Sequence, residues 1–248
     1  MSFIGHSSAL YDAALALVYP QECGACGSSV ESRGDGVACA ACWQKTRIFG
    51  EGDLLCCKCG LPAQGSVVEE DHREVRCHRC DAEHFQAARA CGAYEGALRA
   101  SVLALKREPH VATRLARLLF ETCRREPLQS ATLIVPVPLH PERMRERGFN
   151  QAEALGAALG RLMELPLDVW SLVRTIHTEK HRAGMDARGR LESVEAAFQV
   201  TRPRLIEMER ILLVDDVFTT GATVSACARV LKEAGAQAVF VLTIARPV

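Results

Sequence analysis

The segment Ile211-Leu212-Leu213-Val214-Asp215-Asp216-Val217-Phe218-Thr219-Thr220-Gly221-Ala222-Thr223 constrains the fold more than any other part of the chain. Four consecutive apolar residues, Ile211 to Val214, read as a strand buried on both faces, as in a parallel sheet. Two carboxylates stand where that strand should end, and a loop of small hydroxyl residues around Gly221 follows at once. Val224 to Ala234 reads as a helix, Gly235 as its C′ stop, and Ala238 to Ala245 as the next strand. This is a βαβ unit whose polar residues collect at the carboxyl edge of the sheet, where open α/β sheets bind ligands.

The loop suits one phosphate. Backbone N–H groups at a helix start lack partners and point at an incoming anion. Gly221 lets the backbone approach closely, and Thr219, Thr220 and Thr223 add hydroxyl donors. The acids just upstream repel a phosphate but suit ribose hydroxyls, a metal ion, or both. A sugar phosphate fits that combination. An ordinary βα turn with acids at a helix N-terminus is the plainer alternative; the agreement of strand, acid pair and Thr-Thr-Gly loop in order weighs against it. A Walker B strand would need a Gly-x-x-x-x-Gly-Lys-Ser/Thr loop, which the sequence lacks.

The first third is organised by cysteine. Eight of the 12 cysteines form four Cys-x-x-Cys pairs, Cys23/Cys26, Cys39/Cys42, Cys56/Cys59 and Cys77/Cys80. Two such pairs make a tetrahedral zinc site, because a short knuckle aims both sulfurs inward. Gly27 and Gly60 fit the tight turns of such knuckles. Large apolar side chains are few over residues 20–85, so metal would supply the missing core. Consecutive pairing, with the first two knuckles on one Zn²⁺ and the last two on another, is the simplest arrangement; an interleaved one remains open. His72, His78 and His84 read as surface residues, since the cysteines already fill every ligand position. A thioredoxin-like redox role fits less well, because the pairs lack a βαβ frame.

At 248 residues the chain holds one ordinary domain and a small one, which we place at 86–248 and 1–85. Lys+Arg and Asp+Glu both number 30, so the strongly basic footprint of a nucleic-acid binder is absent overall. Two tetrathiolate zinc sites would make the holo protein mildly acidic. Residues 1–20 lack a basic start, and the apolar run Ala13 to Tyr19 is too short to span a bilayer. Tyr11, Leu15, Val18 and Tyr19 instead give a helical apolar face. The expectation is a cytoplasmic protein without membrane insertion, its thiols holding metal rather than disulfides.

Between ribbon and motif, Glu95 to Lys106 and Val111 to Arg125 read as helices. Their packing stripes are Leu98, Val102 and Leu105, then Leu115, Leu118 and Leu119. Lys106 reads as a favourable C-terminal charge. Thr132 to Val137 is a second buried strand, stopped by Pro136 and Pro138. Ala152 to Glu164 is a helix with Leu155, Leu159 and Leu162 inward. Arg143, Arg145 and Arg147 read alone as a solvated charge run; beside a diphosphate they become ligands, since guanidinium forks match phosphate oxygens. Arg174 to Arg190 is a basic stretch that reads equally as a lid over an anion or as a surface loop.

The Asp215-to-Thr223 segment resembles the phosphoribosyl pyrophosphate (PRPP) motif of type I phosphoribosyltransferases. The chain as a whole resembles the ComF family (ComFC/GntX-like proteins). The features that match, in order, are the double zinc ribbon, Tyr94-Glu95-Gly96 to Leu105-Lys106, Val135-Pro136-Val137-Pro138-Leu139-His140 with Arg147-Gly148-Phe149-Asn150-Gln151-Ala152, and the PRPP motif. The resemblance implies an α/β fold, a type I phosphoribosyltransferase-like parallel sheet flanked by helices and preceded by a zinc ribbon. It implies Mg²⁺ and PRPP as ligands, with Asp215 and Asp216 on the ribose hydroxyls. It assigns Thr219, Thr220, Gly221, Ala222 and Thr223 to the 5′-phosphate and Val137, Pro138, Leu139 and His140 to pyrophosphate. For some members it implies DNA uptake in natural competence, with single-stranded DNA or competence proteins as partners. The family often has Lys-Tyr where this chain has Lys106-Arg107, and Thr-x-x-Gln where it has Thr178-Glu179-Lys180-His181.

Three functions follow as expectations: a phosphoribosyltransferase, a non-catalytic PRPP-sensing or DNA-handling module, and a zinc scaffold on a degenerate fold. Aromatics make up 5% of the chain, which weakens a stacking platform for single strands; Trp43, Phe85 and Phe149 read as core.

Overall fold

The computed structural model describes residues 21–50, 52–63, 75–175 and 197–248. Its centre is a parallel sheet of β1 (Ala87–Ala93), β2 (Leu133–Pro136), β5 (Arg210–Val217) and β6 (Ala238–Arg246), in the order β1-β6-β5-β2. A separate antiparallel pair joins β3 (Leu172–Arg174) to β4 (Phe198–Val200). The helices are α1 (Ala40–Lys45), α2 (Gly96–Leu105), α3 (Thr113–Cys123), α4 (Pro141–Arg147), α5 (Gln151–Met163) and α6 (Ala222–Glu233). The expected apolar face Tyr11/Leu15/Val18/Tyr19, His72, and residues 176–190 of the basic stretch lie outside the described residues.

The sheet is covered on both faces, which is why its strands are apolar runs rather than alternating ones. Side chains nevertheless divide by parity. Leu212 and Val214 join one core with Leu98, Leu119 and Leu155, from α2, α3 and α5. Ile211 and Leu213 join the other with Val224, Cys227 and Leu231 of α6. All four strand residues are fully buried, and each such side chain contributes roughly 1.5–3 kcal/mol.

The two ribbons fall on opposite sides of this division. Cys23, Cys39 and Trp43 belong to the first core, and Cys56, Cys59 and Cys80 to the second. The segment between the ribbons lies along the sheet's outer edge, with Ile48 bridged to Gly92 and Phe49 N–H donating to Cys91 O. Thr46, the C-cap residue of α1, also caps α2, its Oγ1 accepting from Ala97 N–H at 2.8 Å. Glu95, the N-cap residue, makes no side-chain cap bond of its own.

Three expectations are corrected. β5 runs to Val217, so the acid pair lies within the strand rather than after it. Pairing with β6 carries it on, since Asp215 and Val217 still have register partners in Thr243 and Ala245. Helix α6 starts at Ala222, so Ala222 and Thr223 form its first turn and Gly221, at φ 88°, is the N-cap. Leu162 is 48% exposed. The buried stripe of α5 is Ala152, Leu155, Gly156, Leu159 and Gly160, which Met163 rather than Leu162 continues. Gly156 lets the helix pack closely there: a Cβ would lie 2.9 Å from Leu167 Cδ1 and 3.3 Å from Ile134 Cγ2, so a larger residue would have to push those side chains aside. The expected stripes of α2 and α3 are otherwise as read, with Leu98, Val102, Leu105, Leu115 and Leu119 buried and Leu118 packed against them.

Candidate functional site

Alternation along β5 sends its two terminal acids to opposite faces of the sheet. Asp216 has the parity of Val214 and meets groups from α5 and from the end of α2. Lys106 Nζ lies 3.4 Å from Asp216 Oδ2, and Gln151 Nε2 donates to the same oxygen at 3.4 Å. Arg147 Nη1 in turn donates to Gln151 Oε1. Asp215 has the parity of Leu213, on the α6 side, and after burial its charge further opposes ionisation of the Cys227 thiol of that helix. Its Oδ1 accepts the Asp216 N–H at 2.8 Å. Burial, then the Asp216 charge, pushes the Asp215 carboxyl up to about 8, although the side chain keeps some solvent contact. The pair thus combines a lysine-bound carboxylate with an acid that favours its neutral form.

The Arg-Gly-Phe-Asn-Gln segment has a structural explanation at every position but Phe149, which was expected in the core but is half-buried and joins none of the core clusters among the described residues. Arg147 ends α4, and Gly148 at φ 80° supplies the left-handed cap. Asn150 caps α5 through its Oδ1 on Ala152 N–H, and its Nδ2 donates to Val137 O at 3.0 Å. One side chain therefore fixes both the helix start and the loop Val137 to His140. His140 closes that loop by capping α4, its Nδ1 accepting from Glu142 N–H. Pro138 and Leu139 complete it, half-buried.

Beside Asp216 a hollow of about 380 Å³ is lined by Lys106, Arg143, Glu146 and Arg147. Arg145 is not in it; this side chain is exposed and its Nε contacts Pro141 O. Lys106 takes its place. α2 begins just past the carboxyl end of β1, and its C-cap residue Lys106 reaches an acid at the same edge of the sheet. Sequence reading gave Lys106 only a helix-end charge and gave Asn150 and Gln151 no role. Their signal was the Arg-Gly-Phe-Asn-Gln run itself, uninterpretable until β5 and α5 are side by side.

On the other side of the acids, Thr219 and Thr220 are exposed and Thr220 Oγ1 accepts from Ala222 N–H. A Cβ on Gly221 would fall 2.9 Å from Phe218 Cζ and 3.3 Å from Glu83 Oε1. Glu83 thus overlies the loop, a neighbour invisible in the sequence because 138 positions separate the two.

The eight cysteines form two sets, Cys23/Cys26/Cys39/Cys42 and Cys56/Cys59/Cys77/Cys80, the sulfurs of each within 4.8 Å of one another. This is the consecutive pairing. A tetrahedron with Zn–S of about 2.3 Å has S···S edges of about 3.8 Å; Cys26–Cys39 and Cys56–Cys80 measure 3.7 Å, and Cys59–Cys77 3.4 Å. Cys39 N–H donates to Cys23 Sγ and Cys77 N–H to Cys56 Sγ, each at 3.3 Å, as thiolates require. Gly27 and Gly60 adopt φ 78° and 67°. His78 and His84 are exposed. Without a cation the sulfurs compete. Ser28 lowers Cys26 to about 6, and hydrogen bonding to Cys26 pushes Cys42 up to about 12. Burial opposes ionisation of Cys56, but backbone donors from Cys59, Cys77 and Lys58 bring it to about 6; burial pushes Cys59 up to about 11. Four ionised sulfurs coexist when a divalent cation is shared among them, and the donor set and spacing fit structural zinc.

A double zinc ribbon domain family matches residues 14–81. The DNA utilization protein YhgH of Escherichia coli strain K12 is 32% identical over 216 residues, spanning 84% of this chain and 89% of that protein. Competence protein ComFC of Bacillus subtilis strain 168 is 39% identical over 106 residues, 43% of this chain and 40% of that one. Among solved structures, the glutamine PRPP amidotransferase of B. subtilis complexed with ADP and GMP superposes with a TM-score of 0.37 at 17% identity, covering 60% of this chain and 26% of that one. No helix among the described residues is long and apolar enough to cross a membrane.

Proposed function

This chain belongs to the ComF family, and from that premise we propose that it binds PRPP at the carboxyl edge of the sheet and transfers its ribose phosphate, in the context of DNA uptake or DNA use. The observation that carries the reading is the acid pair flanked by two different anion sites. On one side lies the glycine-capped start of α6, with Thr219, Thr220 and Thr223 as hydroxyl donors for a 5′-phosphate. On the other lies the hollow of Lys106, Arg143 and Arg147, lined also by Glu146, whose three cations against one carboxylate suit pyrophosphate.

Asp215 and Asp216 lie between them, where a ribose would span the two anions. Asp216 accepts a ribose hydroxyl, and Lys106 is then free to turn from Asp216 to the pyrophosphate. Asp215, whose carboxyl is pushed up to about 8 by burial and then by the Asp216 charge, would ionise as hydroxyl donors or a cation arrive. The paired carboxylates and the diphosphate offer the hard oxygen donors that Mg²⁺ takes; when bound, Mg²⁺ supplies charge neutralisation on the leaving pyrophosphate. The chain's own contribution is to hold C1 between fixed charges while the C1–O bond breaks, pyrophosphate departs with both electrons, and a lone pair of the acceptor forms the new bond to C1. Residues 1–85 serve as the zinc-bearing structural part and 86–248 as the ligand-binding part. A cytoplasmic location is consistent with zinc thiolates kept reduced.

Calorimetry of the zinc-loaded protein with Mg²⁺ and PRPP tests the binding. Micromolar affinity that is lost in an Asp215→Asn/Asp216→Asn double variant is expected; the same affinity in wild type and variant would reject the assignment. A pyrophosphate-release screen with nucleobase and amine acceptors tests transfer, and silence with every acceptor despite tight PRPP binding would leave a sensor in place of an enzyme.

A further inference from the structure

The second ribbon touches the phosphate loop of that proposed site through three separate contacts, and the first ribbon through none among the described residues. Arg246, at the carboxyl end of β6, is 5% exposed and makes no ion pair with a described residue. Its Nη1 donates to Cys59 O, and its guanidinium lies 4.9 Å from the centre of the Phe218 ring. A zinc ion held by four thiolates would carry a net charge of about −2, and Arg246 is a buried cation hydrogen-bonded to the main chain of one of the residues that would hold it, Cys59. Phe218 in turn packs under Gly221, close enough that the glycine admits no Cβ. Phe85, five residues beyond Cys80, meets the same Phe218 ring edge-on at 5.9 Å. Between them His84 N–H donates to Ser225 Oγ in the first turn of α6 at 3.1 Å. Lys58, from the Cys56/Cys59 knuckle, donates to Glu83 O at 2.7 Å and holds that segment in place.

We infer that the second zinc ribbon is the floor of the phosphate loop, and that Arg246 is a positioning residue that transmits the ribbon's placement through Phe218 to the anion-binding turn at Gly221. A buried, unpaired guanidinium is costly to maintain, and its expense is explained if the charge ties a tetrathiolate centre to the ligand site. The inference rests on the PRPP reading and adds to it that phosphate-loop affinity depends on the second Cys₄ set and is indifferent to the first.

The experiment uses the zinc-loaded full chain, with PRPP plus Mg²⁺ and inorganic pyrophosphate alone as probes. Pyrophosphate reads the Lys106/Arg143/Arg147 hollow without the phosphate loop. Arg246→Gln is expected to weaken PRPP about tenfold, or about 1.4 kcal/mol, while pyrophosphate affinity stays within twofold and zinc remains at two per chain. Arg246→Lys, which keeps the charge, is expected to restore most of the loss. Ser225→Ala, which removes only the bond from His84, is expected to weaken PRPP about threefold and serves if Arg246→Gln does not fold. Wild-type PRPP affinity in a zinc-replete Arg246→Gln or Ser225→Ala protein overturns the inference, as does an equal loss of pyrophosphate. Absence of PRPP binding in the wild type overturns the PRPP reading itself, and this inference with it.

Discussion

The two Cys₄ sets share a motif and a metal geometry yet differ in what surrounds them. In the first, Cys26 is exposed and Cys42 half-buried; in the second, Cys56, Cys59 and Cys80 are buried and Cys77 half-buried. The first is docked by side chains. Arg114 pairs with Asp35 at 3.0 Å and covers the Trp43 ring at 4.7 Å, and Thr46 caps α2. The second is docked through the main-chain carbonyls of its own Cys56–Cys59 knuckle. Ala88 N–H donates to Lys58 O at 2.6 Å, and Arg89 Nη1 donates to Cys57 O. A side-chain dock tolerates loss of one contact, whereas a backbone dock ties metal geometry to strand geometry. The first set therefore reads as a cap on the helical face, and the second as part of the sheet's working edge.

Zinc removal should break that equivalence most visibly. Structural zinc supplies on the order of 10 kcal/mol of binding free energy per site, and each set is part of a different core. A chelator is expected to strip the chain in two kinetic phases, the first from the Cys26-containing set, with PRPP affinity lost only in the second. Zinc release followed by a colorimetric chelator, with calorimetry on the half-stripped protein, checks this. A single phase, or affinity lost with the first ion, would mean the two sets are interchangeable.

A matched pair of glycines sharpens the comparison at lower cost. Gly36 and Gly60 have φ of 79° and 67°, and an added Cβ would lie 2.8 Å from Ala112 Cβ and 2.6 Å from Ala88 O. Gly36→Ala and Gly60→Ala should each lose roughly 1–3 kcal/mol of stability. Only Gly60→Ala, which lifts the second ribbon from β1, should also weaken PRPP, by about tenfold. Denaturant melts with parallel calorimetry separate strain from function.

The ribbons and the acid pair also part company with pH. Asp215 in the fold holds its proton up to about 8, against an unfolded value near 4. The folded state thus binds the extra proton between these values, so the contribution of Asp215 to stability is full below about pH 4 and is lost as pH rises towards 8. Asp215→Asn should melt higher than wild type at pH 8, by roughly 1–2 kcal/mol, with the gap closing towards pH 5. Zinc sites respond oppositely, since protons compete for thiolates as pH falls. Thermal melts of both proteins from pH 5 to 8, with zinc monitored, distinguish the two; a gap that widens towards pH 5 would reverse the assignment.

Legibility in the sequence followed the range of the interaction. The parallel sheet, the βαβ unit at Ile211 and the consecutive zinc pairing all rest on local spacing, and each is found as read. The extent of β5 was not legible, because its last residues are held by β6 rather than by their own apolarity. Helix α4 was hidden in a charge run, since its seven residues bury nothing and are stabilised by a His140 cap and a Gly148 stop. Lys106, Gln151, Arg246 and Glu83 act across long sequence separations, and no periodicity reports such pairs. Arg145 shows the converse: a residue whose type fits the chemistry but whose helix face points elsewhere.

The smallest expected effect is the most direct test of the first ribbon as a cap. Arg114→Ala removes the Asp35 ion pair and the cation–π contact with Trp43 together. Both Arg114 and Asp35 retain solvent contact, so the pair contributes little alone, and the loss should be about 1 kcal/mol in total. Trp43 also donates from Nε1 to Asp35 O at 3.0 Å, so the ring keeps its anchor and the ribbon its metal. PRPP affinity should remain within twofold of wild type, while Trp43 fluorescence shifts as the guanidinium leaves its face. A fall in PRPP affinity comparable to that of Arg246→Gln would show that strain in the first ribbon reaches the carboxyl edge through α3 and the sheet, and that the two zinc sets act on the ligand as one.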